Sequence, residues 1–377
     1  MPPHRRNRPR RPGTELGLVL LLFLIAFSGK TSGFRNSRSP CSRHSCSFSL
    51  ASLPSSYGLN YFGAEHLPTD TNVIFHSNAL EIGMIDLENF GLRRPLVISG
   101  WNAARLSPLM YELEPRGFKI EVFQVCLEPD FHTIMEGVQR GLEHGADCVI
   151  AMGGGSVLDA GKLVALLIYS NRSPAEALST IISTAHIPQD LIEFPKGGNA
   201  SELGCVPVPL ITIPINPGSG SEVNTVAMLH SSAKGKSHIG IPGRGVQITP
   251  PFLCLAQPDL SKRLPVGYTW MGAFASLISL MEGFLVPRGF IVDMLCLQNI
   301  QKLAALLESC PRDFDPKDFL QSGHRESLLM ASIITGVVQH AKAPPSVTSL
   351  GAATLGSLYG VPHTTGLAAL GPAVLAT

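Results

Sequence analysis

A buried strand that leads directly into a glycine-rich turn and then a helix is the feature that most limits the folds open to this chain. The apolar residues 148–152 are followed without a break by GGGS at 153–156, and residues 158–169 have the composition of a helix. Glycines let a ligand approach the backbone closely, and the free amides and dipole of a helix start favour a diphosphate. The segment therefore predicts a dinucleotide site in an α/β domain. Taken alone, it also fits a plain glycine-rich turn with Ser156 as the N-cap of the helix.

Apolar and amphipathic segments alternate from residue 73 to residue 259, and this alternation predicts a parallel sheet with right-handed helical crossovers. The predicted strands lie at 95–99, 119–125, 148–152 and 209–214, with a further helix at 133–143. Residues 172–201 are predicted to be irregular. After Pro265 the alternation stops, and long apolar stretches separated by prolines predict packed helices. These helices are predicted at 268–285, 290–307, 325–341 and 347–358. We therefore expect an α/β domain over 66–259, followed by an all-helical domain over 260–377.

The first 65 residues have the composition of a targeting leader. A basic cluster at 4–11 precedes an apolar run at 16–27 and small residues at 32 and 33. This order predicts a signal peptide over 1–33, because the run is shorter than the ~20 apolar residues of a membrane-spanning helix. Residues 34–65 are rich in Arg and Ser and poor in acid, as transit peptides are. We expect delivery to a plastid of secondary origin, with secretion or the endomembrane lumen as the alternative.

Composition argues against several other classes of protein. The formal net charge of +1 gives no overall attraction to nucleic acid or to an anionic membrane. The cysteines outside the leader are widely spaced and form no Cys-x-x-Cys pair, so neither a zinc site nor a disulfide framework is predicted. A small-molecule ligand is the expected partner.

A second glycine- and serine-rich loop follows the predicted strand at 209–214. Its sequence is NPGSGSE at 216–222. Ligands of parallel α/β sheets bind beyond the carboxyl ends of the strands. The hydroxyls and free amides of this loop are therefore expected to line the same crevice as the GGGS turn.

The two loops together resemble those of the iron-type (group III) alcohol dehydrogenase and glycerol dehydrogenase-like family. The chain has GGGSxxDxxK at 153–162 and GSGSE at 218–222, and further matches are PDLS at 258–261, Leu264-Pro265 and Pro362-His363. The resemblance covers residues 73–377. It implies a dehydroquinate synthase-like architecture and an NAD(P)-dependent oxidoreductase. Such an enzyme transfers hydride between a nicotinamide and an alcohol or the corresponding aldehyde or ketone.

The resemblance also implies which residues contact NAD or NADP. The family holds the cofactor diphosphate on the segment that matches Gly153, Gly154, Gly155 and Ser156, with Asp159 close by. The loop that matches Asn216 and Ser219 lies beside the nicotinamide, and Lys236 matches a lysine near the cofactor. Ser99 and Gly100 stand where many members have an Asp that binds the adenosine ribose. Without that carboxylate a 2′-phosphate is not repelled, so NADP is expected as readily as NAD.

The metal ligands of the family are mostly absent from this sequence. Members usually bind Fe²⁺ or Zn²⁺ through one Asp and three His, and these positions fall on Ala275, Ser279, Ser349 and His363. Only His363 can act as a ligand, whereas about four ligands are normal. His340 could replace a ligand only if the alignment is shifted. A further family His is replaced by Ala353, and Glu282 is expected to bond a neighbour rather than to catalyse.

Three functions are therefore compatible with the sequence. The first is a working oxidoreductase with His363 as the donor to the substrate oxygen, since relatives that reduce maleylacetate are thought to work without metal. The second is a catalytically inactive NAD(P)-binding protein with a regulatory or scaffold role. A lyase of the dehydroquinate synthase type is the third and has the least support from the residues present. The helical domain is expected to be incomplete, with apolar surface exposed at 367–375, and a homodimer is the default assembly.

Overall fold

The computed structural model describes residues 70–126, 128–171, 173–184, 205–229, 250–285, 290–308, 323–340, 347–359, 361 and 363–375. The predicted leader, Lys236 and Pro362 lie outside these residues. The described residues up to Leu370 form one compact unit.

Six parallel strands form the central sheet, in the order β1-β8-β7-β4-β2-β3. Their bounds are β1 Asn72–Phe75, β2 Pro95–Ser99, β3 Glu121–Gln124, β4 Cys148–Gly153, β7 Leu210–Pro214 and β8 Leu253–Ala256. Strands β5 (Tyr169–Ser170) and β6 (Cys205–Val206) form a separate antiparallel pair. Every residue of β2, β4, β7 and β8 is buried, which explains why these strands are almost continuously apolar. The predicted parallel sheet is confirmed.

Five α-helices and one 3-10 helix (Ala103–Leu106) accompany this sheet in the described residues of the first part of the chain. The α-helices are α1 Ala79–Asn89, α2 Ser107–Leu113, α3 Phe131–His144, α4 Gly155–Leu167 and α5 Pro174–Thr184. Helix α3 begins where the Asp130 side chain accepts a hydrogen bond from the Thr133 amide at 2.8 Å, and it ends at Gly145 with φ 64°. The prediction of irregular structure over 172–201 is wrong for α5, whose apolar side chains Ala177 and Leu178 are buried.

Helix α4 is the best-buried helix beside the sheet. All its residues from Val157 to Leu167 are buried. A Cβ on Gly161 would lie only 2.6 Å from the Cβ of Ala151 in β4, so this glycine lets helix and strand approach closely. The close contact fixes the start of α4 relative to the carboxyl end of β4.

The second part of the chain is helical, as the sequence predicts. A short 3-10 helix, Pro258–Arg263, leads into α6 Val266–Leu285, α7 Phe290–Glu308, α8 His324–His340, α9 Val347–Tyr359 and α10 His363–Leu375. Arg325 at the start of α8 donates hydrogen bonds to the carbonyls of Ser261 and Lys262, which ties α8 to the junction. Helix α7 is long and apolar enough to cross a membrane, a property that core helices of soluble proteins share. Leu367, expected to be exposed, is buried against Ala275 and Ala352.

Candidate cofactor site

The sheet order creates a crevice between the carboxyl ends of β2 and β4. Strands β2 and β4 are neighbours in the sheet. The next strand of this sheet after β2 along the chain is β3, which pairs with the side of β2 that faces away from β4. The next strand of this sheet after β4 is β7, which pairs with the side of β4 that faces away from β2. This reversal is a topological switch point, where open α/β sheets bind their ligands. The residues at its two edges are Ser99-Gly100 after β2 and Gly153-Gly154 after β4.

The start of α4 presents free backbone amides to this crevice. The N-cap of the helix is Gly154, which has no side chain to bind the first amides. Ser156, the cap of the alternative interpretation, is instead the second residue of the helix. The interpretation of the turn as a serine-capped helix start is therefore wrong, and the amides remain available to an anion.

The two glycine-rich loops lie against each other. A Cβ on Gly154 would lie 3.6 Å from the Cβ of Asn216, and a Cβ on Gly155 would lie 3.2 Å from the Ser219 hydroxyl oxygen. The Asn216 Oδ1 atom is buried and has no hydrogen-bond partner among the described residues. The structure thus brings together four of the positions that the resemblance assigns to the cofactor.

Asp159 and Lys162 form a buried network that holds the second loop onto α4. The Lys162 ammonium donates to Ser221 Oγ at 2.7 Å, to Asn224 Oδ1 at 2.7 Å and to the Val226 carbonyl at 2.6 Å. Asp159 accepts from Lys162 at 3.3 Å, and also from the Ser221 hydroxyl and the Met228 amide. Burial lowers the pKa of Lys162, although the nearby carboxylates of Asp159 and Glu222 raise it. Asp159, assigned to the cofactor by resemblance, here organises the loop.

Part of the second loop is used differently from what its sequence suggests. The amides of Gly218 and Gly220 are not free, because both donate to the Ser332 hydroxyl of α8, at 2.7 and 3.3 Å. The Ser221 amide donates to Ser219 Oγ at 3.2 Å. The expectation of free amides in this loop is therefore wrong for these three residues. Sequence reasoning missed Ser332, which lies more than a hundred residues away along the chain.

The structure adds an acidic residue that the sequence analysis missed. Glu128 follows β3, and its carboxylate interacts with the Ser156 side chain and the His363 backbone. Burial raises the pKa of Glu128, the charge of Asp159 raises it further, and the two hydrogen bonds lower it. Glu128 therefore places a carboxylate beside the starts of α4 and α10. A Glu before Pro in a loop after a strand gave no signal for this position.

The ribose side of the crevice carries no carboxylate on β2. Ser99 is buried, and its hydroxyl donates to the Gly100 carbonyl at 3.3 Å. Gly100 approaches the first turn of α4, where a Cβ on it would lie 3.9 Å from Val157. The position therefore offers neither an anion nor a free hydroxyl to a ribose.

The positions of the family metal ligands do not form a metal site. Ala275 packs in an apolar cluster with Ala352 and Leu367. Ser349 Oγ lies 3.4 Å from His363 Nε2, and Ser279 is half-buried on the next turn of α6. Within the described ranges, no three His, Cys, Asp or Glu residues could hold an ion together. The residues present do not fit the family metal, and the side chains of His340 and Ala353 are not among those described.

His363 is the one titratable side chain at these positions. Its Nδ1 atom is buried and has no partner in the described part of the chain. Burial lowers the pKa of His363, and the negative charge of Asp159 opposes this shift. The imidazole is therefore neutral at neutral pH and has one ring nitrogen available to accept a proton.

Glu282 stabilises the fold of the helical part. One carboxylate oxygen accepts from the amide of Thr348 at 3.0 Å and from its hydroxyl at 2.6 Å. Thr348 is in the first turn of α9, so Glu282 binds an amide that has no partner within the helix. This contact keeps Ser349 close to His363.

Comparisons with known proteins agree with this geometry. The sequence profile of a family described as iron-containing alcohol dehydrogenase matches residues 70–245. Bifunctional aldehyde-alcohol dehydrogenase AdhE of Escherichia coli (strain K12) is 24% identical over 297 residues, which cover 78% of this chain and 31% of that protein. An iron-containing alcohol dehydrogenase from Thermotoga maritima superposes with a TM-score of 0.63 at 22% identity, over 80% of this chain and 75% of that one. Maleylacetate reductase from Agrobacterium tumefaciens gives 0.57 at 21% identity, over 82% and 74%. These structural likenesses concern the fold.

Proposed function

We propose that this chain, whose residues 70–245 match the profile of the iron-containing alcohol dehydrogenase family, is an NAD(P)-dependent oxidoreductase. The proposed reaction transfers hydride between a nicotinamide and a small alcohol or its aldehyde or ketone. The observation that carries the proposal is the contact of Gly154 and Gly155 with Asn216 and Ser219, at the switch point of the sheet and over the uncapped start of α4.

The residues at the crevice fit a dinucleotide. The amides at the start of α4 and the Ser156 hydroxyl would hold the diphosphate. The buried, unpartnered Asn216 Oδ1 would accept a hydrogen bond from the nicotinamide end. When bound, the nicotinamide supplies or accepts the hydride. Because Ser99 and Gly100 bring no carboxylate to the ribose side, we expect NADPH to bind at least as tightly as NADH.

His363 is the residue proposed to handle the proton. In alcohol oxidation, the neutral Nδ1 would take the proton of the hydroxyl oxygen, while the hydride leaves the carbon that bears this hydroxyl and passes to the nicotinamide. With the Nε2–H donating to Ser349 Oγ, Nδ1 would be left free to accept this proton. Since the pKa of His363 lies below its ordinary value, the base form persists to a lower pH than an exposed His allows. Reduction of the carbonyl needs the protonated form and should therefore speed up as pH falls.

Titration of leader-free protein with NADH and NADPH, followed by metal analysis of the same sample, tests the proposal. We expect nucleotide binding without stoichiometric iron or zinc. Failure to bind either nucleotide would overturn the proposed function. Binding together with stoichiometric metal would show that residues other than Ala275, Ser279 and Ser349 provide ligands.

Replacing the proposed base tests the chemistry separately from binding. His363→Ala should lower kcat for alcohol oxidation about 10²- to 10⁴-fold, with little change in nucleotide affinity. Tyr359→Phe is a matched control, because Tyr359 lies on α9 nearby in sequence and is exposed. Full turnover in His363→Ala would rule out this role while leaving the cofactor site intact.

A catalytically inactive nucleotide-binding protein is the second candidate function. The residues at the ligand positions favour this function. Ala275, for example, offers no lone pair to a metal and is buried against Ala352 and Leu367. This alternative predicts nucleotide binding with no turnover across a panel of alcohols, aldehydes and ketones, with or without added Fe²⁺ or Zn²⁺. Turnover of any of these compounds would exclude it.

We also propose delivery to a secondary plastid through the leader. The support is the apolar run at 16–27 followed by an acid-free, Arg- and Ser-rich stretch. A fluorescent protein fused after residue 65 should accumulate in the plastid. Accumulation in the medium or in the endomembrane lumen would contradict this destination.

A further inference from the structure

The second glycine-rich loop touches two helices of the helical part through backbone atoms. Gly218 has φ 141°, and a Cβ on it would lie 2.5 Å from the Cα of Gly272 in α6. Gly220 has φ 70°, and a Cβ on it would overlap with the backbone of Gly336 in α8. Only paired glycines allow backbones to come this close. We call residues 216–222 together with Gly272, Ser276, Ser332 and Gly336 the loop clasp.

Ser332 is the centre of the loop clasp. The side chain is fully buried, and its oxygen accepts from the amides of Gly218 and Gly220. On the other side of the loop, the Ser276 hydroxyl donates to the Gly218 carbonyl at 3.4 Å. One hydroxyl thus satisfies two amides on either side of Ser219, the residue that faces Gly155.

The position of this loop is therefore set from both parts of the chain. On the sheet side, Lys162 and Asp159 hold Ser221 and the residues after it. On the helical side, Asn224 donates to Gln339 Oε1 of α8 at 2.6 Å. These hydrogen bonds reach Ser221 and the residues after it, whereas in the segment 216–220 the Ser332 hydroxyl accepts from the amides of Gly218 and Gly220.

We propose that Ser332 is a positioning residue for the cofactor: it fixes the loop so that Asn216 and Ser219 lie against Gly154 and Gly155. The inference rests on the proposed function. Ser332 does not reach the crevice itself and acts through the loop. The helical part then serves nucleotide binding even though its ligand positions are substituted.

The test compares two buried hydroxyls on one helix. Ser332→Ala removes the acceptor of two amides, whereas Thr335→Val removes a hydroxyl that only donates to the Ala331 carbonyl within α8. We expect Ser332→Ala to weaken NADPH binding about tenfold or more. Thr335→Val should keep the affinity within about twofold of the unaltered chain, because it leaves the loop untouched. Ser332→Cys, which keeps a weak acceptor, should fall between them.

Hydrogen exchange separates this inference from the proposed function. Without nucleotide, the amides of Gly218 and Gly220 should exchange faster in Ser332→Ala than in Thr335→Val at matched stability. Faster exchange together with weaker NADPH binding supports the positioning role. Unchanged affinity or unchanged exchange in Ser332→Ala overturns it. If the unaltered chain binds no nucleotide, the proposed function fails and the positioning role fails with it, while the exchange data still report whether Ser332 holds the loop.

Discussion

Two sets of residues on helix α6 differ in whether they keep a contact that a cofactor site needs. Gly272 and Ser276 contact the glycine-rich loop through the backbone and through a hydroxyl. Ala275 and Ser279, which lie on the same helix, stand where the resemblance implies an Asp and a His, and neither a methyl group nor a neutral hydroxyl is a good metal ligand. The loop clasp is intact, whereas the ligand positions hold small residues.

If Ser332 positions the loop as proposed, the helical part contributes to nucleotide binding independently of any metal ligand. Substituting a ligand removes chemistry but leaves the packing of α6 in place, as the burial of Ala275 with Ala352 and Leu367 shows. Substituting a residue of the loop clasp would displace the loop that faces α4. The positions proposed to support nucleotide binding are therefore distinct from those that the family resemblance assigns to a metal.

Among the changes considered, Gly220→Ala in the loop clasp should lower the unfolding free energy most. The new Cβ is strained at φ 70° and overlaps with the Gly336 backbone, so we expect a loss of about 3–5 kcal/mol in unfolding free energy and loss of nucleotide binding. Gly117→Ala is the control, because Gly117 has φ 74° with no atom within 4 Å of the added Cβ. It should cost about 1–2 kcal/mol. Equal costs in denaturant unfolding would show that the close approach at Gly336 is not needed.

Ala275→Asp tests whether the positions of the family metal ligands can bind a metal in this chain. The carboxylate would enter a fully buried apolar cluster, so we expect a loss of about 3 kcal/mol or more in unfolding free energy. Ser279→Asp, on the half-buried position of the same helix, should cost less. Neither variant should regain stability when Fe²⁺ or Zn²⁺ is added. Recovery of Ala275→Asp with metal would break the comparison, because it would reveal ligands that the described residues do not show.

The sequence predicts most of the architecture because its signals are local. The strand Pro95–Ser99 has the predicted bounds, and the four long helices after Pro265 lie within two residues of their predicted bounds. The GGGS turn after β4 is recognisable because a buried strand, three glycines and a helix follow one another without a break along the chain. Helix α5 is missed because a Pro and several small residues at its start look like a loop.

The site is predicted less completely because its contacts join distant parts of the chain. The amides of Gly218 and Gly220 look free in the sequence, and only the fold brings Ser332 to them. Asp159 looks like a cofactor residue, yet it accepts hydrogen bonds from Lys162, Ser221 and Met228. Glu128 gives no local signal because its partners belong to the starts of two helices. Long-range polar contacts of this kind leave no periodic pattern.

Glu128→Gln tests how a buried carboxylate beside the proposed diphosphate site affects nucleotide binding. The carboxylate lies beside Ser156 and the start of α10, where a diphosphate would add negative charge. Like charges in one site repel, so removing this one should tighten NADPH binding about tenfold. The control is Glu143→Gln, which removes an exposed charge from α3 and should leave affinity unchanged. Weaker binding in Glu128→Gln would mean that this carboxylate contacts the nucleotide favourably.

Glu222→Gln should have the smallest effect, and its sign depends on pH. Glu222 is the last residue of the loop in the loop clasp and is fully buried, and no described residue makes a hydrogen bond of normal geometry with either carboxylate oxygen. Burial raises the pKa of Glu222, and weaker interactions with the Ser332 hydroxyl and Lys162 lower it only in part. An acid whose pKa is raised on folding loses stability as pH rises through the raised value. The Gln variant escapes this loss.

The expected result is a difference in Tm that grows with pH. Near pH 4, where Glu222 is protonated in both states, the variant and the unaltered chain should unfold at similar temperatures. By about pH 8 the variant should be the more stable of the two, because it has no carboxylate charge to bury. Glu81→Gln, an exposed position on α1, controls for the loss of one negative charge. A variant that is less stable than the unaltered chain at pH 8 would show that the Glu222 carboxylate, through Lys162 and Ser332, stabilises the loop clasp more than its burial destabilises it.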